Sequence, residues 1–158
     1  MSLADRHEMF MQMALQQAQL ARDCAEVPVG AVVVNLAGEV IGKGYNRAII
    51  LSDPTAHAEI VALRQAAAHE QNYRLPDLTV YSTFEPCVMC IGALTHARIA
   101  HVVYGVSNSK RGACGSVLNI QNYKKINHHT RITSGVLEQA CAEKLCHFYR
   151  EPRKVFNL

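Results

Sequence analysis

Two short stretches carry residue types that do chemistry together: His57-Ala58-Glu59, and Pro86-Cys87-Val88-Met89-Cys90. Cys87 and Cys90 are three apart at a helix start that Pro86 opens, so both thiols project from one face. Free amides and the helix dipole there favour their thiolate forms. With the imidazole of His57 they make a Cys2His set, enough to hold one Zn2+ per chain with a fourth tetrahedral position left for water. Structural zinc normally closes with four protein ligands, so an open position points to catalysis. Glu59 stands two residues from His57, a spacing that sends side chains to opposite sides inside a helix. Both reach one metal only where a helix begins, and Asp53-Pro54-Thr55 supplies such a beginning. Glu59 is then placed to take a proton from a metal-activated water without being a ligand, which describes a hydrolytic site.

Taken singly, a CxxC pair is weak evidence for a metal and an HxE triplet is weaker. One rival reading stays open at this point, a nucleic-acid-binding protein whose zinc is structural, and Glu59 and the missing fourth ligand weigh against it. Cys24, Cys114, Cys141 and Cys146 lack metal-like spacing and read as packing residues. His7, His69, His96, His101, His128, His129 and His147 read as surface or satisfied core histidines, with His128 and His129 the ones placed to touch substrate.

The elements that must position this set come from periodicity. Met9, Phe10, Met13, Ala14, Ala18 and Ala21 predict an amphipathic helix over about 5–22, its methionine stripe facing the core. Val29 to Val34 and Val40 to Tyr45 predict a hairpin joined by Asn35-Leu36-Ala37-Gly38. Helices are expected over 57–69, from Pro86 to about Ala97, and over 137–150 with Pro152 ending the last. Strands are expected over 78–84, 100–105 and 131–136, with loops between and one helical turn near Val117. The order predicts a three-layer α/β/α sandwich in which helices cover both faces of one sheet.

The 158 residues, 49% hydrophobic and 18% charged, suit one domain spanning 1–158 and exclude a disordered or collagen-like chain. A net charge of +3 neither announces nor opposes a polyanionic partner. No apolar run approaches the length of a membrane span, and the N-terminus lacks a signal-peptide core, so no membrane partner and a cytoplasmic location are expected.

Further segments carry a resemblance: Val27-Pro28-Val29-Gly30-Ala31-Val32, Gly44-Tyr45-Asn46-Arg47, Asp53 to Glu59, Gln71-Asn72-Tyr73-Arg74-Leu75 and Glu85 to Cys90. Together with H-x-E and P-C-x-x-C, they resemble the bacterial tRNA adenosine deaminase family over nearly the whole chain. The resemblance implies a cytidine-deaminase-like sandwich with a mixed five-stranded sheet. It also implies hydrolytic deamination of a flipped-out adenine at C6, adenosine becoming inosine. His57, Cys87 and Cys90 then hold zinc and Glu59 shuttles protons, while Asn46 and Ala58 contact the base and Val29 and Phe84 line its pocket. The implied partners are a tRNA anticodon loop and a second copy in a homodimer. A cytosine, cytidine or guanine deaminase sharing this scaffold and signature is the rival within the resemblance, and Asn46 with the Asp53 to Glu59 stretch argues against it.

The chain also departs from that family. Where members usually carry Asp-x-Lys-x-Gly-Ala, it has Asn108-Ser109-Lys110-Arg111-Gly112-Ala113. With Arg22, Leu36, Ala48, Leu51, Ser82, Phe84, Val106, Asn119, Asn122, Tyr123, Cys146, Tyr149, Pro152, Val155, Phe156 and Asn157, the set resembles substitutions in laboratory-evolved members used in adenine base editors. That likeness implies action on deoxyadenosine in single-stranded DNA. An Asp facing substrate repels phosphate and accepts from a ribose 2′-OH, and Asn108 weakens that handle. Arg111 beside Lys110 adds a cation, and Tyr149 and Arg150 offer stacking and phosphate contacts. Pro152 is expected to redirect the residues after it.

Overall fold

The computed structural model describes residues 1–150. Helix α1 spans Leu3–Asp23, strands β1 and β2 span Gly30–Val34 and Val40–Tyr45, and α2 spans Ala58–Glu70. Strand β3 follows at Thr79–Phe84, α3 at Val88–His96 and β4 at His101–Val106. A single 3-10 turn at Ile120–Asn122, β5 at Arg131–Thr133 and α4 at Glu138–Arg150 complete the chain. The sheet has five strands in the order β2-β1-β3-β4-β5. β1 runs antiparallel to both neighbours, while β3, β4 and β5 are mutually parallel. The sheet is therefore mixed, as expected.

Alternation along the strands builds a core on each face. Val32 and Val34 of β1, Tyr81 and Val103 meet Phe10, Met11, Ala14, Leu15 and Cys141 from α1 and α4. Ala31 and Val33, with Val80 and Val102, meet Ala58, Ala62, Ala66, Ile91 and Leu94 from α2 and α3. The close seating of α2 on β2 has a steric cause. A Cβ at Gly44 would lie 2.4 Å from the carbonyl oxygen of Ala58, and one at Gly42 equally close to that of Ala62. Glycine facing alanine lets two backbones approach where any larger pair would force them apart, and this fixes the height at which α2 begins.

Register then gathers the functional loops at one edge. Gly30 pairs with Tyr45, Ala31 with Ser82 and Phe84 with Val106. The start of β1, the end of β2 and the carboxyl ends of β3 and β4 therefore share one rim, the usual place for a site in a sheet with parallel strands.

Several expectations need correction. The stripe of α1 is displaced: Met11 is fully buried, whereas Met9 is exposed and Met13 only half-buried, because Phe10, Ala14 and Ala18 centre the face one position along. Cys114 and Cys141 pack inside, but Cys24 and Cys146 are exposed. Cys24 caps α1 beyond its last buried residue, and Cys146 follows Leu145, which takes the inward position on α4. α3 begins at Val88 rather than Pro86. β5 stops at Thr133, and Gly135 then adopts a left-handed φ of +82° that carries the chain out of the strand. The helical turn expected near Val117 forms at Ile120 instead. Pro152 and the course of the chain after it lie outside the described residues. Among those described, no helix is long and apolar enough to cross a membrane.

Candidate active site

α2 begins with its backbone still extended at His57, with φ −72° and ψ 154°, and His57 makes no capping bond of its own. Asn46, at the end of β2, does that work: its Oδ1 accepts the Ala58 N–H at 2.8 Å, satisfying one of the free first-turn amides. Upstream, the Asp53 carboxylate accepts from the Thr55 amide at 2.9 Å and hydroxyl at 2.7 Å, closing the turn that delivers His57. The break in helical geometry lets His57 and Glu59 converge, as their spacing requires.

α3 repeats the arrangement, with extended Cys87 as N-cap and Cys90 one turn inside. Nδ1 of His57 lies 3.6 Å from Sγ of Cys87 and 3.4 Å from Sγ of Cys90. Tetrahedral zinc with bonds of about 2.3 Å to sulfur and about 2.0 Å to nitrogen separates N from S by about 3.5 Å. The trio therefore fits zinc, and all its ligand atoms lie within 4.8 Å of one another. Protonation agrees. The Cys90 thiol donates to Cys87, which holds Cys87 down at about 3 and pushes Cys90 up. One soft anion is preformed, and a bound cation would displace the other proton. Zinc held there would supply a Lewis acid that brings a coordinated water to a pKa of about 7.

Glu59 is buried, and burial pushes its carboxyl above the usual range. Its Oε2 lies 3.5 Å from Sγ of Cys90 and its Oε1 accepts from the Ser82 hydroxyl at 3.0 Å. A carboxyl raised above its ordinary range beside a metal site is suited to accepting a proton and returning it.

These groups open into a cleft of about 560 Å³. Val29, Asn46, His57, Glu59, Phe84, Cys87, Asn108, Ser109, Lys110, Arg111 and Tyr149 all line it, as do Val27, Glu85 and Ser107, which the residue patterns did not single out. Cys90 is fully buried behind the cleft. Ala58 and Arg150 are not on its wall: the methyl of Ala58 is buried in the core and its N–H is taken by Asn46, while Arg150 is exposed at the end of α4. His128 and His129 are turned to the backbone carbonyls of Ile99 and Gln121 and do not line the cleft. A second depression, of about 420 Å³ and lined by Asn35, Glu70, Arg74 and Asp77 among others, lies at the opposite rim, away from the metal ligands.

Similarity to known proteins agrees with this geometry. Residues 4–106 match the cytidine and deoxycytidylate deaminase zinc-binding region. The chain is 48% identical over 147 residues to the tRNA-specific adenosine deaminase of Haemophilus influenzae, covering 93% of this chain and 85% of the relative. It is 42% identical over 155 residues to that of Buchnera aphidicola, covering 96% and 93%. A solved structure from a study of A-to-I editing by tRNA wobble-position deaminases superposes with a TM-score of 0.84 at 40% identity, covering 87% of this chain and 99% of that one. A guanine deaminase from Nitrosomonas europaea superposes with a TM-score of 0.75 at 25% identity, covering 89% and 83%. With its ligand trio, its buried Glu59 and these relatives, the chain belongs to the tRNA-specific adenosine deaminase family of zinc-binding deaminases.

Proposed function

We propose that the chain hydrolyses adenosine to inosine in a nucleotide flipped out of a nucleic-acid loop, its parent substrate being a tRNA anticodon loop. Water adds to C6 of the base, the C6–N bond breaks and ammonia leaves. Glu59 carries the proton from the water to the base and the departing amine. The observation that carries this reading is the buried Glu59 carboxyl beside the Cys2His trio in an open cleft. Asn46 supports it: its oxygen is engaged by Ala58, and among the described residues its amide nitrogen has no acceptor, which leaves two donors for a ring nitrogen of the base.

We infer further that deoxyadenosine in single-stranded DNA is accepted. The support is the neutral Asn108 on the cleft wall next to Lys110 and Arg111, where an aspartate would repel a strand's phosphates and accept from a 2′-OH. Tyr149 on the same wall offers a stacking face, and Arg150 is kept as a phosphate contact. A homodimer is the proposed working form. Besides the family resemblance, its support is the exposed run Ile49-Ile50-Leu51, held in place because Glu26 accepts the Ile50 N–H at 2.8 Å. Cytoplasmic action follows from a tRNA substrate.

The test is a side-by-side assay of matched RNA and DNA hairpins with one loop adenosine, with free cytidine and guanine as controls. Inosine from the hairpins and no product from the controls is the expected result. Conversion of guanine or cytidine in preference to the hairpins would replace this reading with the corresponding base deaminase.

A further inference from the structure

Glu85 lies two residues before the metal ligand Cys87, is only 1% exposed, and belongs to neither the ligand trio nor the proton path. Its carboxylate is spent on a distant loop. Oε1 accepts the Asn108 N–H at 3.2 Å and the Ser116 hydroxyl in a short bond, while Oε2 accepts the Cys114 N–H at 3.0 Å and the Ser116 N–H at 3.3 Å. Among the described residues no cationic side chain pairs with it. A buried carboxylate without such partners is costly, so the loop amides and the charge require each other.

Two further features show that the fit is specific. A Cβ on Gly112 would lie 2.2 Å from Oε2 of Glu85, so glycine stands where the carboxylate meets the loop backbone. Beside it, Gly112 forms an antiparallel bridge with Cys87, and the Ala113 N–H donates to the carbonyl of Pro86 at 3.0 Å. The loop is thereby pinned directly to the segment that carries a metal ligand. It also bears Asn108, Ser109, Lys110 and Arg111 on the cleft wall.

We propose that Glu85 is a positioning residue for the polynucleotide: its carboxylate fixes the 107–116 loop against the Cys87 segment and so sets where the strand beside the flipped base is gripped. This rests on the nucleic-acid substrate proposed above. Strand binding then depends on Glu85, while the chemical step, made by Glu59 and the metal ligands, does not.

Glu85→Gln tests it, because the new amide NH2 must oppose a backbone N–H in either orientation: those of Cys114 and Ser116 at the place of Oε2, or that of Asn108 at the place of Oε1, where only the Ser116 hydroxyl can turn to accept. Zinc content should stay at wild-type stoichiometry and amide hydrogen exchange over 107–116 should quicken. KM for an adenosine hairpin should rise by about tenfold or more, the scale of lost bonds to a buried charge, while kcat stays within about threefold. Ser116→Ala, which deletes a single donor, should shift KM the same way by about threefold and carries the test if Glu85→Gln does not fold. Unchanged loop exchange, an unchanged KM, or a kcat loss accompanied by zinc loss would overturn the proposal. A wild-type protein that makes no inosine from the hairpin would instead reject the substrate reading, and the exchange measurement would still judge the loop.

Discussion

The hydroxyl of Ser82 stands 3.0 Å from Oε1 of Glu59 and 2.8 Å from the carbonyl oxygen of Phe84, so β3 reaches across to the proposed proton carrier on α2. One hydroxyl proton has two acceptors. When Glu59 is ionised the hydroxyl can turn to it, and when Glu59 holds a proton it can donate to Ser82 while Ser82 turns to Phe84. Ser82 is fully buried, so no water takes its place unaided. Ser82→Ala should leave zinc and KM unchanged and lower kcat by roughly tenfold, the scale of one hydrogen bond to a charged group. Steady-state kinetics on a hairpin substrate checks this, and an unchanged kcat would show that Glu59 is oriented without Ser82.

Asn108 closes its own loop, since its Oδ1 accepts the N–H groups of Lys110 at 3.2 Å and Arg111 at 3.0 Å. An aspartate would keep both bonds, so Asn108→Asp changes charge with little change in shape. The added charge repels phosphate and offers an acceptor to a 2′-OH. The DNA-to-RNA activity ratio should fall by about tenfold to thirtyfold, or about 1.4 to 2 kcal/mol, with the repulsive part shrinking at high salt. Single-turnover rates on matched hairpins at two salt concentrations measure it. A constant ratio would remove the support for DNA action and leave the tRNA substrate.

Three ligands give no redundancy, so Cys87→Ala should lose both bound zinc and activity. Metal analysis of the purified variant decides the point. Full zinc stoichiometry with activity intact would mean that the zinc sits elsewhere.

On the α1 face, His101 is held neutral by its neighbours. Arg131 donates to its Nδ1 at 3.0 Å, and its Nε2 lies 2.8 Å from the Thr133 hydroxyl, with the His7 ring edge-on at 5.6 Å. Burial, then the charge of Arg131, lowers its pKa from 6.5 to about 4. Below pH 6.5 the unfolded chain takes up a proton that the folded chain refuses. The stability this site contributes is thus fully present above 6.5 and is lost as pH falls toward 4. The loss should be on the order of 2 kcal/mol after allowing for solvent screening. His101→Gln should flatten the dependence, and denaturant titrations at pH 7 and pH 4.5 compare the two proteins. Equal acid sensitivity would assign it to other groups.

Helical and strand periodicity marks every major element, and the paired spacings of His57 with Glu59 and Cys87 with Cys90 mark the candidate metal site in the sequence itself. Those signals are local: a ligand pair within one turn, a helix start, an alternating strand. Glu85 shows what such patterns miss. Apart from the Ser116 hydroxyl, its partners are backbone amides 23 to 31 residues later, and amides carry no residue-type signature. Its standing beside Pro86-Cys87, together with a glycine in the facing loop, was the only available hint. The misplaced methionine stripe of α1 has a similar cause. Met9, Met11 and Met13 are equally apolar, and only the packing of Phe10 and Ala14 against β1 decides which turns inward.

The central claim is that this Cys2His site with Glu59 deaminates adenosine. The direct measurement is single-turnover inosine formation from a loop adenosine by zinc-loaded wild-type protein and by Glu59→Ala, with zinc content determined for both. The account predicts one inosine and one ammonia per adenosine consumed by the wild type. It predicts a variant that keeps its zinc and its fold but is slower by roughly 10² or more, the scale of a lost general acid and base. Near-equal rates for the two proteins, or adenosine left unchanged by the zinc-loaded wild type, would contradict it.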